Sequence, residues 1–168
     1  SYRVILASRS KVRKQQMIDA SIPFEVMISD ADETPDESKS MKNQLAEISM
    51  RKAMTIFEET KNRGLRLIVA ADQNMVFDGK MYGKPENLDQ AREFIKNIRG
   101  TDEIYAYTGN SVLLAEKDKI LQSINVTDTA RLSVDNISDE EIEEYIKDSV
   151  CLSFCGGVSI TKALFMHL

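Results

Sequence analysis

The apolar run Leu65, Leu67 to Ala71 stops at Asp72, and a hairpin signal, Asp78-Gly79, follows between two further apolar stretches. A short continuous apolar run reads as a buried strand. Asp-Gly supplies two residues suited to positive φ, which a two-residue type I′ turn requires. A buried central strand followed by a hairpin brings an antiparallel pair into the sheet and excludes a purely parallel one. Asp72 falls where apolar character ends, a position at which a charge is costly without a partner or a ligand. An aspartate at such a point is also an ordinary turn or capping residue.

The flanking segments extend this pattern. Residues 2–7 read as a first strand, and Ser10 is placed to cap a helix from Lys11 to Ile18. Phe24, Val26 and Ile28 alternate with Glu25 and Met27 as a second strand, and Ser29 to Lys39, with Pro35 and five carboxylates, reads as an acidic loop. Ser40 opens a long helix in which Leu45, Ile48, Ala53, Ile56 and Phe57 share a face and Lys52 lies off its centre. Another helix begins near Asn87 and buries Leu88, Ala91, Phe94, Ile95 and Ile98, with Gly100 just past its end. Ile104 to Ala115 and Ile120 to Leu132 form a long hairpin about Lys117-Asp118. Ser138 and Glu141 make a capping box for a helix carrying Ile142, Tyr145 and Ile146. Val150 to Val158 and Ala163 to Phe165 read as final strands. This order predicts an α/β protein with a mixed sheet and flanking helices.

Composition narrows the partners. With 168 residues, of which 42% are hydrophobic, the chain can bury a core as one domain or two packed lobes. Its net charge of -5 disfavours wholesale binding to a nucleic acid polymer, so a phosphate ligand must be met by a focused basic site. Two cysteines, Cys151 and Cys155, and one histidine, His167, are too few for a structural zinc site or a disulfide framework. They read as reduced thiols. No apolar run has the length of a membrane span, and no signal peptide is recognisable, so a cytoplasmic protein is expected.

Gly83-Lys84 suggests phosphate because glycine lets a backbone approach a ligand closely. A nucleotide P-loop does not fit: Gly79 and Gly83 are too close in sequence, and Pro85 stands where a Ser or Thr would reach magnesium. Ser8, Ser10 and the free amides at the start of the first helix, with Arg13 beside them, form a second group suited to anions.

Leu6-Ala7-Ser8-Arg9-Ser10-Lys11-Val12-Arg13 resembles the opening motif of the Maf family of nucleoside triphosphate pyrophosphatases, the family also named for septum formation. Asp32-Glu33-Thr34-Pro35, Arg51-Lys52-Ala53, Ala71-Asp72-Gln73, Asp78-Gly79, Gly83-Lys84-Pro85 and Tyr107-Thr108-Gly109 fit it in the same order, from Val4 to about Cys155.

The resemblance implies a mixed α/β fold with two lobes around a cleft, similar to inosine triphosphate pyrophosphatases, and a single Maf-like domain over 1–168. The closing strand and helix of the family are not seen. It implies hydrolysis of a nucleoside triphosphate to the monophosphate and pyrophosphate with a divalent metal, magnesium. Asp72 becomes the proton acceptor or metal-linked carboxylate, and Glu33 its acidic partner at the metal. Ser8, Ser10, Arg13, Lys52 and Lys84 become the substrate-binding groups. Gln73 after Asp72 resembles the branch acting on 7-methyl-GTP. Val12 stands where the family places an arginine or tryptophan tied to base choice, and a second base-selecting side chain expected after Cys155-Gly156-Gly157 is not visible. The alternatives are a dTTP/UTP pyrophosphatase and a catalytically silent nucleotide-binding protein linked to cell division. No membrane partner is expected, and the resemblance leaves room for a homodimer.

Overall fold

Val4, Ile5 and Leu6 lie in the buried part of β1 (Arg3–Leu6) in the computed structural model, which describes residues 2–159. Ser10 then accepts the Arg13 N–H at 3.3 Å and starts α1 (Lys11–Asp19), which returns the chain to β2 (Glu25–Val26), parallel to β1. The strand expected over Phe24 to Ile28 is only two residues long. β2 pairs alongside Ile5 and Leu6 alone, and the face of Val26 and Ile28 remains exposed while Met27 packs against the core.

Ser40 caps α2 (Met41–Glu59) by accepting the Asn43 N–H. The stripe Ala53, Ile56 and Phe57 packs on Ile5 and Ala7 and on Ile68 and Ala70 of β3 (Arg66–Phe77). Leu113 and Ala115 of β5 (Ile104–Glu116) complete this core. β3 runs parallel to β1, with Arg3 opposite Arg66 and Leu6 opposite Val69. Arg66 is buried beneath the end of α2. Its guanidinium donates to Thr60 Oγ1 and to the main-chain carbonyls of Phe57, Arg63, Gly64 and Lys117. Burial, and then the neighbouring Arg63, hold its pKa below the usual value. All its N–H groups are thus committed to the fold, and the shallow cavity lined by Arg3, Arg63, Gly64, Leu65 and Arg66 is built around a structural cation.

β3 does not end at Ala71 as expected: it continues through Asp72 to Phe77, because Met75, Val76 and Phe77 resume an apolar pattern that pairs with β4 (Lys80–Tyr82). Asp78 and Gly79 take φ of 49° and 71° at the turn, the left-handed pair that the hairpin signal requires. Asn87 caps α3 (Leu88–Ile98), whose Ala91 and Ile95 pack against Ile142, Tyr145 and Ile146 of α4 (Asp139–Ile146). The Ser138–Glu141 capping box is formed in full. Phe94 and Ile98 pack with Met75 and Ile104.

The strand expected over Val150 to Val158 is replaced by two short 3-10 turns, Val150–Ser153 and Cys155–Gly157. Ser149, Gly156 and Gly157 all have φ between 61° and 72°, which breaks an extended run. A Cβ on Gly156 would also lie 2.5 Å from the Phe94 ring. The Tyr145 hydroxyl donates to Gly157 O and accepts the Ser159 N–H, both at 2.9 Å, and burial pushes its pKa up to about 12. The strand expected at Ala163 to Phe165 lies outside the described residues.

β6 (Lys119–Leu132) completes a mixed sheet of order β2-β1-β3-β5-β6, with β4 paired to β3. The chain divides into two compact units, Ser1–Asp72 with Thr108–Asp128 and Gln73–Tyr107 with Thr129–Leu168. Within the first unit Gly109 brings β5 hard against α2: a Cβ there would stand 2.2 Å from Leu45 O. Among the described residues no helix is long and apolar enough to cross a membrane.

Candidate functional site

The chain leaves β1 through Ala7, whose N–H still bonds Val69 O at 2.8 Å, and enters the turn before α1. Ser8 Oγ there accepts the Ser10 N–H at 3.1 Å and a guanidinium N–H of Arg13 at 3.4 Å. Ser10 is committed to the cap. Ser8, Ser10 and Arg13 are thereby gathered at the start of a helix, where first-turn amides lack partners within the helix, an arrangement with the charge and donors for a phosphate.

The second group comes from α2 and β3. Residues two apart share a strand face, so Asp72 lies on the face of Ile68 and Ala70, towards α2. Lys52, next to the buried Ala53, reaches across: its ammonium is 3.1 Å from Asp72 Oδ1 and 3.5 Å from Ala71 O. The same nitrogen is 2.6 Å from Glu33 Oε1, contributed by the acidic loop. Side-chain exposure falls from 57% at Glu33 to 21% at Asp72 and 12% at Lys52, so a solvent-facing carboxylate closes over a largely buried ammonium. The charge of Asp72, costly inside a sheet, is met by Lys52. Ser8 and Asp72 follow the carboxyl ends of the paired stretches of β1 and β3, where open α/β sheets receive ligands.

Arg51, one residue before Lys52, carries a hold that the sequence does not reveal. One guanidinium nitrogen donates to Asp32 O at 2.9 Å and to Thr34 O at 2.7 Å, and the other to Glu47 at 2.9 Å. Glu47 in turn binds Lys39. The bonds from Lys39 and then Arg51 hold the Glu47 carboxyl below the usual carboxylate range. Main-chain acceptors leave no residue-type signature, so only the place of Arg51 beside Lys52 is visible in the sequence.

Three candidates remain, Val12, Gln73 and Lys84. Val12 is half exposed on α1. Gln73 follows Asp72 directly and therefore projects from the opposite face of β3; it is exposed, and its carbonyl accepts the Cys155 thiol at 2.8 Å. Lys84 belongs to the second unit and is exposed after β4. A Cβ on Gly83 would meet only Asn74 Oδ1, at an ordinary 3.5 Å, so the protein's own packing does not demand glycine beside Lys84.

Among the described residues no group of three or more His, Cys, Asp or Glu side chains forms a ready metal cage. Glu33 and Asp72 nonetheless aim carboxylate oxygens at one cation, the Lys52 ammonium. Carboxylate oxygens are the donors magnesium takes, and a site with two of them leaves positions for waters and substrate phosphate. The donor set fits such an ion.

The family model described as Maf-like protein matches residues 3–168. A dTTP/UTP pyrophosphatase of Bacillus cereus (strain B4264) is 28% identical over 159 residues, which cover 94% of this chain and 78% of that one. A nucleoside triphosphate pyrophosphatase of Prochlorococcus marinus (strain MIT 9301) is 31% identical over 172 residues, covering 94% and 84%. Among solved structures, a HAM1 protein from Coxiella burnetii aligns over 100% of both chains with a TM-score of 0.43 and 9% identity.

Proposed function

Because the chain belongs to the Maf-like protein family, we propose that it is a nucleoside triphosphate pyrophosphatase. It uses water to divide a nucleoside triphosphate into the monophosphate and pyrophosphate. The observation that carries this reading is the Lys52 ammonium held between Asp72 and Glu33, with the phosphate-suited turn of Ser8, Ser10 and Arg13 following β1, the strand paired to β3. A binding surface for an anion has no need of two carboxylates gathered on one cation. A hydrolytic site does, since it must accept a proton next to a highly charged ligand.

In the proposed step a water oxygen forms a bond to the α-phosphorus while the bond from that phosphorus to the oxygen bridging the β-phosphorus breaks. Asp72 takes the water proton, and pyrophosphate leaves with the bridging oxygen and its electron pair. Lys52 fixes the Asp72 carboxylate in its place on β3. Arg13 and Lys52 offset charge on the phosphate oxygens, while Ser8 and the α1 amides orient them, the main protein contribution to phosphoryl chemistry. A magnesium ion held by Glu33 and Asp72 would supply charge neutralisation and a polarised water. Asp72→Asn, which keeps side-chain size and removes the charge, is expected to lower turnover about a hundredfold or more in a folded protein. Wild-type pyrophosphate release from that variant would remove Asp72 from the reaction.

Within this activity Gln73 supports 7-methyl-GTP as the favoured substrate. Its exposed amide offers a donor and an acceptor, the pairing a purine edge requires. Sites that read hydrogen bonds reject analogues that leave their groups unpaired. The expected result is a higher kcat/KM for 7-methyl-GTP than for dTTP or UTP, narrowed or reversed in Gln73→Thr. Wild-type preference for dTTP or UTP, the substrates in the name of the Bacillus cereus relative, would overturn the base assignment and leave the pyrophosphatase reading in place.

A further inference from the structure

Glu33 sits in a segment without helix or strand, 29–40, yet its carboxylate must meet Lys52 at a defined point. The local bonds of that loop are turns: the Ala31 N–H to Ser29 Oγ, the Thr34 N–H to Asp32 Oδ1, and the Ser38 N–H to Asp36 Oδ1. Turns of this kind shape a loop without fixing it to the rest of the protein. Arg51 supplies the anchor. Its Nη1 donates to the carbonyls of Asp32 and Thr34, the residues on either side of Glu33, and its Nη2 to Glu47, one helical turn earlier on α2.

We infer that Arg51 is the positioning residue of Glu33. It straddles Glu33 through the two neighbouring carbonyls, so the peptide units on both sides are held while the carboxylate stays free to meet Lys52. Glu47, itself bound to Lys39, aims the guanidinium and ties the far end of the loop, at Lys39, to the same helix. The planar fork of a guanidinium suits such a hold, because one group spans two carbonyls and a carboxylate in fixed directions. A lysine at 51 would reach one acceptor at a time. α2 thus contributes two successive residues with separate duties, Arg51 to the loop backbone and Lys52 to the carboxylates of Glu33 and Asp72. The catalytic part of this inference rests on the proposed role of Glu33.

Two measurements on the full chain test it. The first is amide hydrogen exchange over the 29–40 loop in Arg51→Ala, with the protein's melting temperature as control. Faster exchange in the loop and a nearly unchanged melting temperature are expected. The second is a double-mutant cycle on pyrophosphate release with Arg51→Ala, Glu33→Gln and their combination. A misplaced catalytic group costs about tenfold to a hundredfold in rate. Arg51→Ala should therefore lose roughly that factor alone and little more in the Glu33→Gln background, because a residue that acts through another has nothing left to position. Arg51→Lys should recover part of the loss, and Glu47→Gln should show a weaker form of it.

Unchanged loop exchange in Arg51→Ala would overturn the hold itself. An equal loss from Arg51→Ala in both backgrounds would overturn its action through Glu33. Wild-type turnover in Glu33→Gln would instead remove Glu33 from the reaction and with it the catalytic part of the inference. Loop exchange would then decide alone whether Arg51 anchors the loop.

Discussion

Lys52 is the residue on which the proposed chemistry turns, because one largely buried ammonium is shared by two carboxylates of unequal exposure. Removing it leaves Asp72 and Glu33 close together without their common partner, and breaking a buried charge pair is costly through the charge left behind. Part of that cost is relieved by water at Glu33, which is more than half exposed. Lys52→Ala is therefore expected to fold and to lose turnover on every nucleoside triphosphate by a similar factor, about a hundredfold. Ratios of kcat/KM between bases should stay as in the wild type. A change in base preference without a general loss, measured over the same nucleotides, would place Lys52 at the base instead of the phosphates. Asp72 shows why the residue alone is ambiguous in sequence: its position after an apolar run fits a turn, and its partner lies on a helix 20 residues earlier.

At the scale of elements, what is legible in the sequence is what local chemistry specifies. Ser10, Ser40, Asn87 and Ser138 each cap the helix they precede, since a cap bonds amides two or three residues away. The Asp78-Gly79 turn is formed for the same reason. The segments that depart from expectation depend on distant contacts. β3 runs on through Asp72, Gln73 and Asn74 because β4 pairs with its far end, and three polar residues conceal that continuity. Residues 150–157 turn in 3-10 geometry because of left-handed backbone at Ser149, Gly156 and Gly157, where apolar content alone suggests a strand. Gly109 is intermediate: the motif Tyr107-Thr108-Gly109 is visible, but the need for glycine comes from the α2 backbone. Gly109→Ala is expected to destabilise the protein by about 1–3 kcal/mol, since the atom in the way is a main-chain carbonyl and the helix must shift. Unfolding in denaturant measures this, and unchanged stability would mean that β5 and α2 part without strain.

For the whole molecule, a mixed sheet carries the proposed groups in two compact units. Ser8, Ser10, Arg13, Glu33, Lys52 and Asp72 belong to the first, and Gln73 and Lys84 to the second. An acidic chain, with a net charge of -5, concentrates its proposed phosphate-binding cations on a few positions. That distribution suits a small, highly charged ligand better than a long polyanion. The central claim is the bond that breaks. The most direct measurement is product identification after incubating the protein with a panel of nucleoside triphosphates, with and without magnesium. Monophosphate and pyrophosphate in equal amounts, formed with magnesium and abolished in Asp72→Asn, are the result predicted by the proposed reaction. Diphosphate with orthophosphate, or no turnover of any nucleotide in the panel, would contradict it.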